Sequence, residues 1–186
     1  MLDALLVSAG TVALAEIGDK TQLLALLLAA RFRHHWPIVF GILVATLLNH
    51  ALAGWVGTLA ASWLTPNVLR WIIVVSFIGI ALWTLIPDKL DDDAKLPAHG
   101  AFIATVIAFF IAEMGDKTQV ATVLLAARYQ PLWEVVAGTT VGMLIANVPV
   151  VLLGSRFAAK LPLKAARFAA AGLFLILGLW ALFAGV

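Results

Sequence analysis

The sequence predicts an all-α polytopic membrane protein with six transmembrane helices arranged as two inverted three-helix repeats. Three observations carry this. The 186 residues are 63% hydrophobic and 12% charged, whereas a soluble domain is about 45–50% apolar and about 25% charged. The apolar residues fall into six runs, at 4–30, 38–61, 69–86, 98–127, 133–154 and 166–185, and roughly 20 such residues cross a bilayer. One octapeptide is also written twice, as Ala15-Glu16-Ile17-Gly18-Asp19-Lys20-Thr21-Gln22 and Ala112-Glu113-Met114-Gly115-Asp116-Lys117-Thr118-Gln119, 97 residues apart.

Each run ends where the chemistry changes. Arg31 to Pro37 closes the first, Thr65-Pro66-Asn67 separates the second from the third, and Gln130-Pro131 and Lys160-Leu161-Pro162 delimit the fifth. Proline and polar clusters between apolar runs are ordinary boundary signals. Residues 87–97, with the hydrophilic stretch Asp88 to Lys95, read as a solvated linker between repeat 1 (1–86) and repeat 2 (98–186). Ala13-Leu14-Ala15 resembles a signal-peptide cleavage site. Asp3 without any Lys or Arg before it is the wrong leader, and the recurrence of the motif mid-chain favours a span.

Between 15–31 and 112–128, 12 of 17 residues are identical, and the register persists at Gly41 and Gly138, Gly57 and Gly154, Arg70 and Arg167, Phe77 and Phe174, and Trp83 and Trp180. Three spans per unit make the second copy enter from the opposite side, the inverted repeat of many secondary transporters. Arg31, Arg33, Lys89, Lys95, Arg156, Lys160, Lys164 and Arg167 fall on one side, against Arg70 and Arg128 on the other. The positive-inside rule then puts the linker in the cytoplasm and both termini outside. Trp36, Trp63, Trp71 and Trp133, near span ends, read as interfacial anchors.

Ionisable residues inside an apolar run are costly and mark function. With each motif on one continuous helix, Glu16, Asp19 and Lys20 share a face, as do Glu113, Asp116 and Lys117. Gln22 and Gln119 lie one step round, and Thr21 is turned away. The competing structural reading makes Glu16–Lys20 and Glu113–Lys117 helix-stabilising i,i+4 ion pairs. Gly18 and Gly115 permit close helix approach or local unwinding that bares carbonyl oxygens. Four carboxylates and two ammonium groups sum to −2, which one divalent cation neutralises. The oxygen-rich set suits ions such as Ca²⁺ and Mn²⁺, and metal arriving at protonated carboxylates would release protons. The expected site is therefore Glu16, Asp19, Glu113 and Asp116, flanked by Lys20 and Lys117, for a cation/proton antiporter.

In the second span, Thr46, Asn49, His50, Ala53 and Gly57 form a small and polar stripe, with His50 and Asn147 at equivalent places. His50 as a ligand would favour Mn²⁺ over Ca²⁺; the plainer reading is a hydrogen-bonded helix contact. Pro149 withholds a backbone bond from Ile145. His34, His35 and His99 sit in loops and carry no expectation. The absence of cysteine removes disulfides and thiolate ligands. A net charge of +2 with scattered basic residues speaks for orientation rather than nucleic acid. Six spans leave no room for a soluble catalytic domain, so neither enzyme activity nor a resident cofactor is expected.

The doubled Glu-x-Gly-Asp-Lys-Thr motif, Glu16 to Thr21 and Glu113 to Thr118, resembles the signature of uncharacterised protein family 0016, the family of the Golgi transmembrane protein 165. The resemblance covers essentially the whole chain. It implies a cation/proton exchanger moving Mn²⁺ and Ca²⁺ out of the cytoplasm, with Glu16, Asp19, Glu113 and Asp116 as metal and proton carriers and Thr21, Gln22, Thr118 and Gln119 as neighbours. Without the N-terminal extension of organellar relatives, the chain resembles a compact prokaryotic form exporting manganese across the plasma (inner) membrane. Its partners are then the divalent ion and membrane lipid, and a homodimer is equally compatible. The alternatives are an exporter of another small solute such as an amino acid, and an intramembrane metalloenzyme, for which no His-Glu-x-x-His ligand set is present.

Overall fold

The computed structural model describes residues 2–87 and 100–184, and several of its helix ends have a local cause. The first apolar run forms α1 (Leu2–Glu16) and α2 (Lys20–Phe32), followed by α3 (His35–Trp63) and α4 (Pro66–Thr84). The second half repeats this with α5 (Ala101–Glu113), α6 (Lys117–Arg128), α7 (Leu132–Leu153), the short α8 (Ser155–Ala158) and α9 (Leu163–Ala184). Arg33, in the left-handed region, closes α2, and Pro66 opens α4, where its missing N–H costs nothing. Among the described residues there is no strand. Four helices are long and apolar enough to cross a membrane: His35–Trp63, Pro66–Thr84, Leu132–Leu153 and Leu163–Phe183.

The single helices expected over 4–30 and 98–127 are each two helices. Gly18 and Gly115 adopt φ of +84° and +73°, a left-handed conformation that glycine enters freely and other residues rarely do. The break at Ile17–Asp19 and its counterpart at Met114–Asp116 therefore follow from the motif's own glycine. The linker expected at 87–97 lies outside the described residues apart from Pro87, as do Lys89, Lys95 and His99.

The halves pack on each other. Helix α1 lies along α7 and α5 along α3, while α2 meets α7, α6 meets α3, and α4 pairs with α9. Positions 97 apart make matching contacts. A Cβ on Gly41 would stand 2.6 Å from Thr105 Cβ, and one on Gly138 would stand 2.9 Å from Ser8 Cβ. Phe77 and Phe174 stack on each other with centroids 6.2 Å apart, joining α4 to α9 in one of two apolar cores. The other core gathers Leu28, Ile38, Ile42, Phe109 and Met143. Outside, the surface stays apolar, with Ile111, Trp63, Phe168 and Phe183 exposed; a water-soluble monomer rarely shows such a surface. The tryptophans expected as anchors, Trp36, Trp63, Trp71 and Trp133, are all exposed near helix ends.

One pair of equivalent positions differs. Gly57 lies within α3, where a Cβ would collide with the Val123 carbonyl, and the helix continues to Trp63. Gly154 ends α7 at φ 70°, ψ −158°, a region open essentially to glycine alone. The chain then turns through α8 into α9 and sets Leu163 against Gly18, where a Cβ would lie 3.0 Å from Leu163 Cδ2.

Close packing of α1 on α7 predicts that Gly138→Val destabilises the protein by about 1–3 kcal/mol through overpacking. Gly79→Ala, with no atom within 4 Å of the new Cβ, should leave stability unchanged or slightly raised. Thermal unfolding of both variants in detergent checks this; equal midpoints would contradict the packing.

Candidate cation site

The two helix breaks meet and exchange charges. Lys20 Nζ lies 2.9 Å from Asp116 Oδ1, and Lys117 Nζ lies 2.8 Å from Asp19 Oδ1. Each lysine thus reaches the aspartate of the other copy. The pair Glu16–Lys20 expected on a continuous helix does not form, because the break turns Lys20 away from Glu16 and towards the opposite half. The two ion pairs differ in cover: the Lys117 side chain is 4% exposed and that of Lys20 29%.

Both aspartates stand at the N-cap position of the helix that follows them, Asp116 without a side-chain capping bond. Asp19 caps α2 and accepts from Thr21 N, and Asp116 occupies the same place before α6. The N-terminal ends of α2 and α6 favour negative charge, while the ends of α1 and α5 at Glu16 and Glu113 present carbonyls. Discontinuous helices with this polarity serve ion and substrate sites in membrane transporters.

Glu16 and Glu113 are fully buried. Thr21 Oγ1 donates to Glu16 Oε2, and Thr118 Oγ1 donates to Glu113 Oε2 at 2.8 Å. Thr21 is therefore not turned away. Five residues on, it would point elsewhere on a straight helix, but the glycine break rotates it back over the glutamate. In each glutamate the second oxygen, Oε1, has no hydrogen-bond partner. Oxygens of Glu16, Asp19 and Asp116 lie within 4.8 Å of one another, a grouping that could hold a metal ion. Glu113, the fourth expected member, is not in that trio and instead stands with Oε2 4.0 Å from His50 Nε2.

Gln22 and Gln119 brace the breaks. Gln22 Oε1 accepts from Gly18 N at 2.8 Å, and Gln119 Oε1 accepts from Gly115 N at 2.6 Å. Their amide nitrogens donate into the other half: Gln22 Nε2 to the Ala146 carbonyl at 2.9 Å, and Gln119 Nε2 to Asn49 Oδ1 at 2.8 Å. Asn147 Nδ2 donates to the Met143 carbonyl at 3.1 Å, leaving its Oδ1 without a partner. Asn49 was legible only as part of a stripe; its role of receiving Gln119 needs the folded chain. Ser8, Thr11 and Glu134 are buried polar residues that the motif alone does not point to. The first two lie three residues apart on α1, and Glu134 lies in the first turn of α7, where a negative charge is favoured.

The breaks are unequally covered. Leu163 packs on Gly18, and a cavity of about 410 Å³ beside this break is lined by Ile17, Gln22, Ala146, Pro149, Phe157 and Leu161. At the other break Met114 is 57% exposed, and a Cβ on Gly115 would meet nothing within 4 Å.

The family model described as "Divalent cation/proton antiporter GDT1" matches residues 4–92 and 101–186. A Vibrio cholerae protein named "Putative manganese exporter" is 55% identical over 180 residues, spanning 96% of this chain and 90% of its own. "GDT1-like protein 5" of Arabidopsis thaliana is 29% identical over 213 residues, with 91% and 90% covered, and "GDT1-like protein sll0615" of Synechocystis is 28% identical over 183 residues, with 86% of each covered. No solved structure matches the chain.

The crossed ion pairs predict unequal costs. In chelator-treated detergent solution, Lys117→Met should lower stability by about 3–5 kcal/mol, the loss usual when one partner of a buried pair is removed. Lys20→Met should cost less, because water reaches that pair. Equal losses in thermal unfolding would contradict the difference in cover.

Proposed function

The chain belongs to the GDT1 family of divalent cation/proton antiporters, and from that premise we propose that it exports Mn²⁺ from the cytoplasm in exchange for protons, with Ca²⁺ as the second candidate cargo. The observation that carries this reading is the convergence of Glu16, Asp19 and Asp116 from two separate helix breaks, with their oxygens within 4.8 Å. A single helix would place such acids in one row. Two broken helices place them around one point.

The proposed site comprises Glu16, Asp19, Glu113 and Asp116 as carriers of metal or proton. Thr21 and Thr118 orient the glutamates, and Gln22 and Gln119 hold the breaks. Lys20 and Lys117 act as resident counter-charges: an arriving divalent ion takes over the aspartate oxygens that they hold. Two lysines against four carboxylates leave −2, so one divalent ion or two protons restores neutrality. That equivalence is the minimum for exchange, since ligands must shed protons to take metal. Manganese is put first because the Vibrio cholerae relative is named for it.

The two halves, residues 1–86 and 98–186, are proposed to be inverted repeats spanning the plasma membrane six times, counting α1–α2 and α5–α6 as one span each. The matching contacts of Gly41 with Thr105 and Gly138 with Ser8 support this symmetry. The basic residues of the sequence around the 1–2, 3–4 and 5–6 connections support a cytoplasmic linker and external termini. The elbow through α8 then covers the first break from the cytoplasmic side while the second break stays open, which fits one half of an alternating cycle. The pathway lies within one chain, and a homodimer would carry two. An amino acid cargo is less well matched, because the lysines that would bind its carboxylate are engaged with Asp116 and Asp19.

Reconstituted in proteoliposomes, the protein should take up Mn²⁺ when the opposite side is acidic, with proton movement reported by an internal dye and lost on adding a protonophore. Glu16→Gln and Asp116→Asn should each lower exchange at least about tenfold, the lower end of the usual loss on disturbing a metal site. Wild-type rates in both variants, or uptake indifferent to the pH gradient, would refute the reading.

A further inference from the structure

The two halves differ at one chemically decisive place. His50 on α3 is fully buried, and neither ring nitrogen has a hydrogen-bond partner; Nε2 faces Glu113 Oε2 at 4.0 Å. Glu113 Oε1 and Thr46 Oγ1, the latter one turn before His50, are also buried without partners. Buried polar groups are normally satisfied, and an imidazole aimed at a carboxylate through a gap too long for a hydrogen bond is the arrangement a shared cation completes. First-row divalent ions bind nitrogen and oxygen ligands at about 2.0–2.2 Å, so two ligand atoms of one ion stand at most about 4.4 Å apart. The observed separation falls within that reach.

The equivalent position in the other half is Asn147, whose amide nitrogen is already committed to the Met143 carbonyl. His50 of the first half thus offers a nitrogen donor beside Glu113, whereas the equivalent Asn147 leaves only its Oδ1 without a partner. We infer that Glu113 and His50 form a second holding point for the cation, separate from the Glu16, Asp19 and Asp116 trio, and that His50 is the residue that selects Mn²⁺ over Ca²⁺. The inference rests on the exporter reading and deepens it. Imidazole binds transition-metal ions, whereas Ca²⁺ takes oxygen ligands almost exclusively. A cation passing between trio and pair would therefore be sorted at the pair, while the four carboxylates and two lysines of trio and pair together balance its charge.

The test uses the purified full chain in detergent, titrated with Mn²⁺ followed by the electron paramagnetic resonance of the free ion and with radioactive Ca²⁺ at equilibrium. His50→Asn, which gives both halves the same residue, should weaken Mn²⁺ binding at least about tenfold and leave Ca²⁺ binding essentially unchanged. His50→Gln should do the same and guards against one substitution failing to fold, with size-exclusion behaviour as the check. Asp116→Asn should weaken both ions in parallel. A wild-type Mn²⁺-to-Ca²⁺ ratio in the folded histidine variants overturns the inference while the exporter reading stands. A wild-type protein that binds neither ion overturns both.

Discussion

Lys20 and Lys117, each reaching into the opposite half to hold Asp116 and Asp19, fix the centre of this molecule. Opposite charges far from water attract strongly, and their desolvation is tolerable only in good geometry. The Lys117–Asp19 pair meets both requirements most fully, since it is the better buried of the two and Asp19 also accepts from Thr21 N. The crossed pairs bring the two breaks to one point, and everything described at the site is measured from there. A lysine is a counter-ion that cannot leave the chain.

The glycine of each motif decides what the rest of the motif can do. A continuous helix would satisfy its own backbone and line up Glu16, Asp19 and Lys20 on one face. Left-handed Gly18 and Gly115 interrupt that order, so the acids before and after the break address one space from different directions. Gln22 and Gln119 then bond the glycine N–H groups, replacing a helix bond with a side-chain bond. Their amide nitrogens tie the break to the opposite half, and the interruption becomes a rigid feature.

The two motif copies and the helices around them match in some contacts and differ in others. Gly41 and Gly138 admit equivalent neighbours, and Phe77 stacks on its own counterpart Phe174. Against that background, Gly57 continues a helix where Gly154 ends one, and among the described residues Leu163 packs on Gly18 while nothing lies within 4 Å of a Cβ on Gly115. His50 opposite Asn147 is the chemical counterpart of that conformational difference. An exchanger built from two identical halves would have no preferred side and no second donor type.

The amino-acid order alone established the membrane class, the duplication, the helix ends marked by Pro66 and Arg33, and the identity of the acidic motif residues, because composition and repetition are properties of the chain itself. It also raised the option that glycine would unwind the motif. The fold alone decided that Lys20 pairs with Asp116 instead of Glu16, that Thr21 faces Glu16, and that Glu113 stands with His50 outside the trio. Helical periodicity reports neighbours only while the helix is continuous. A positive φ at Gly18 or Gly115 resets the phase of every later residue, and contacts between residues about a hundred positions apart are set by how two packed halves meet.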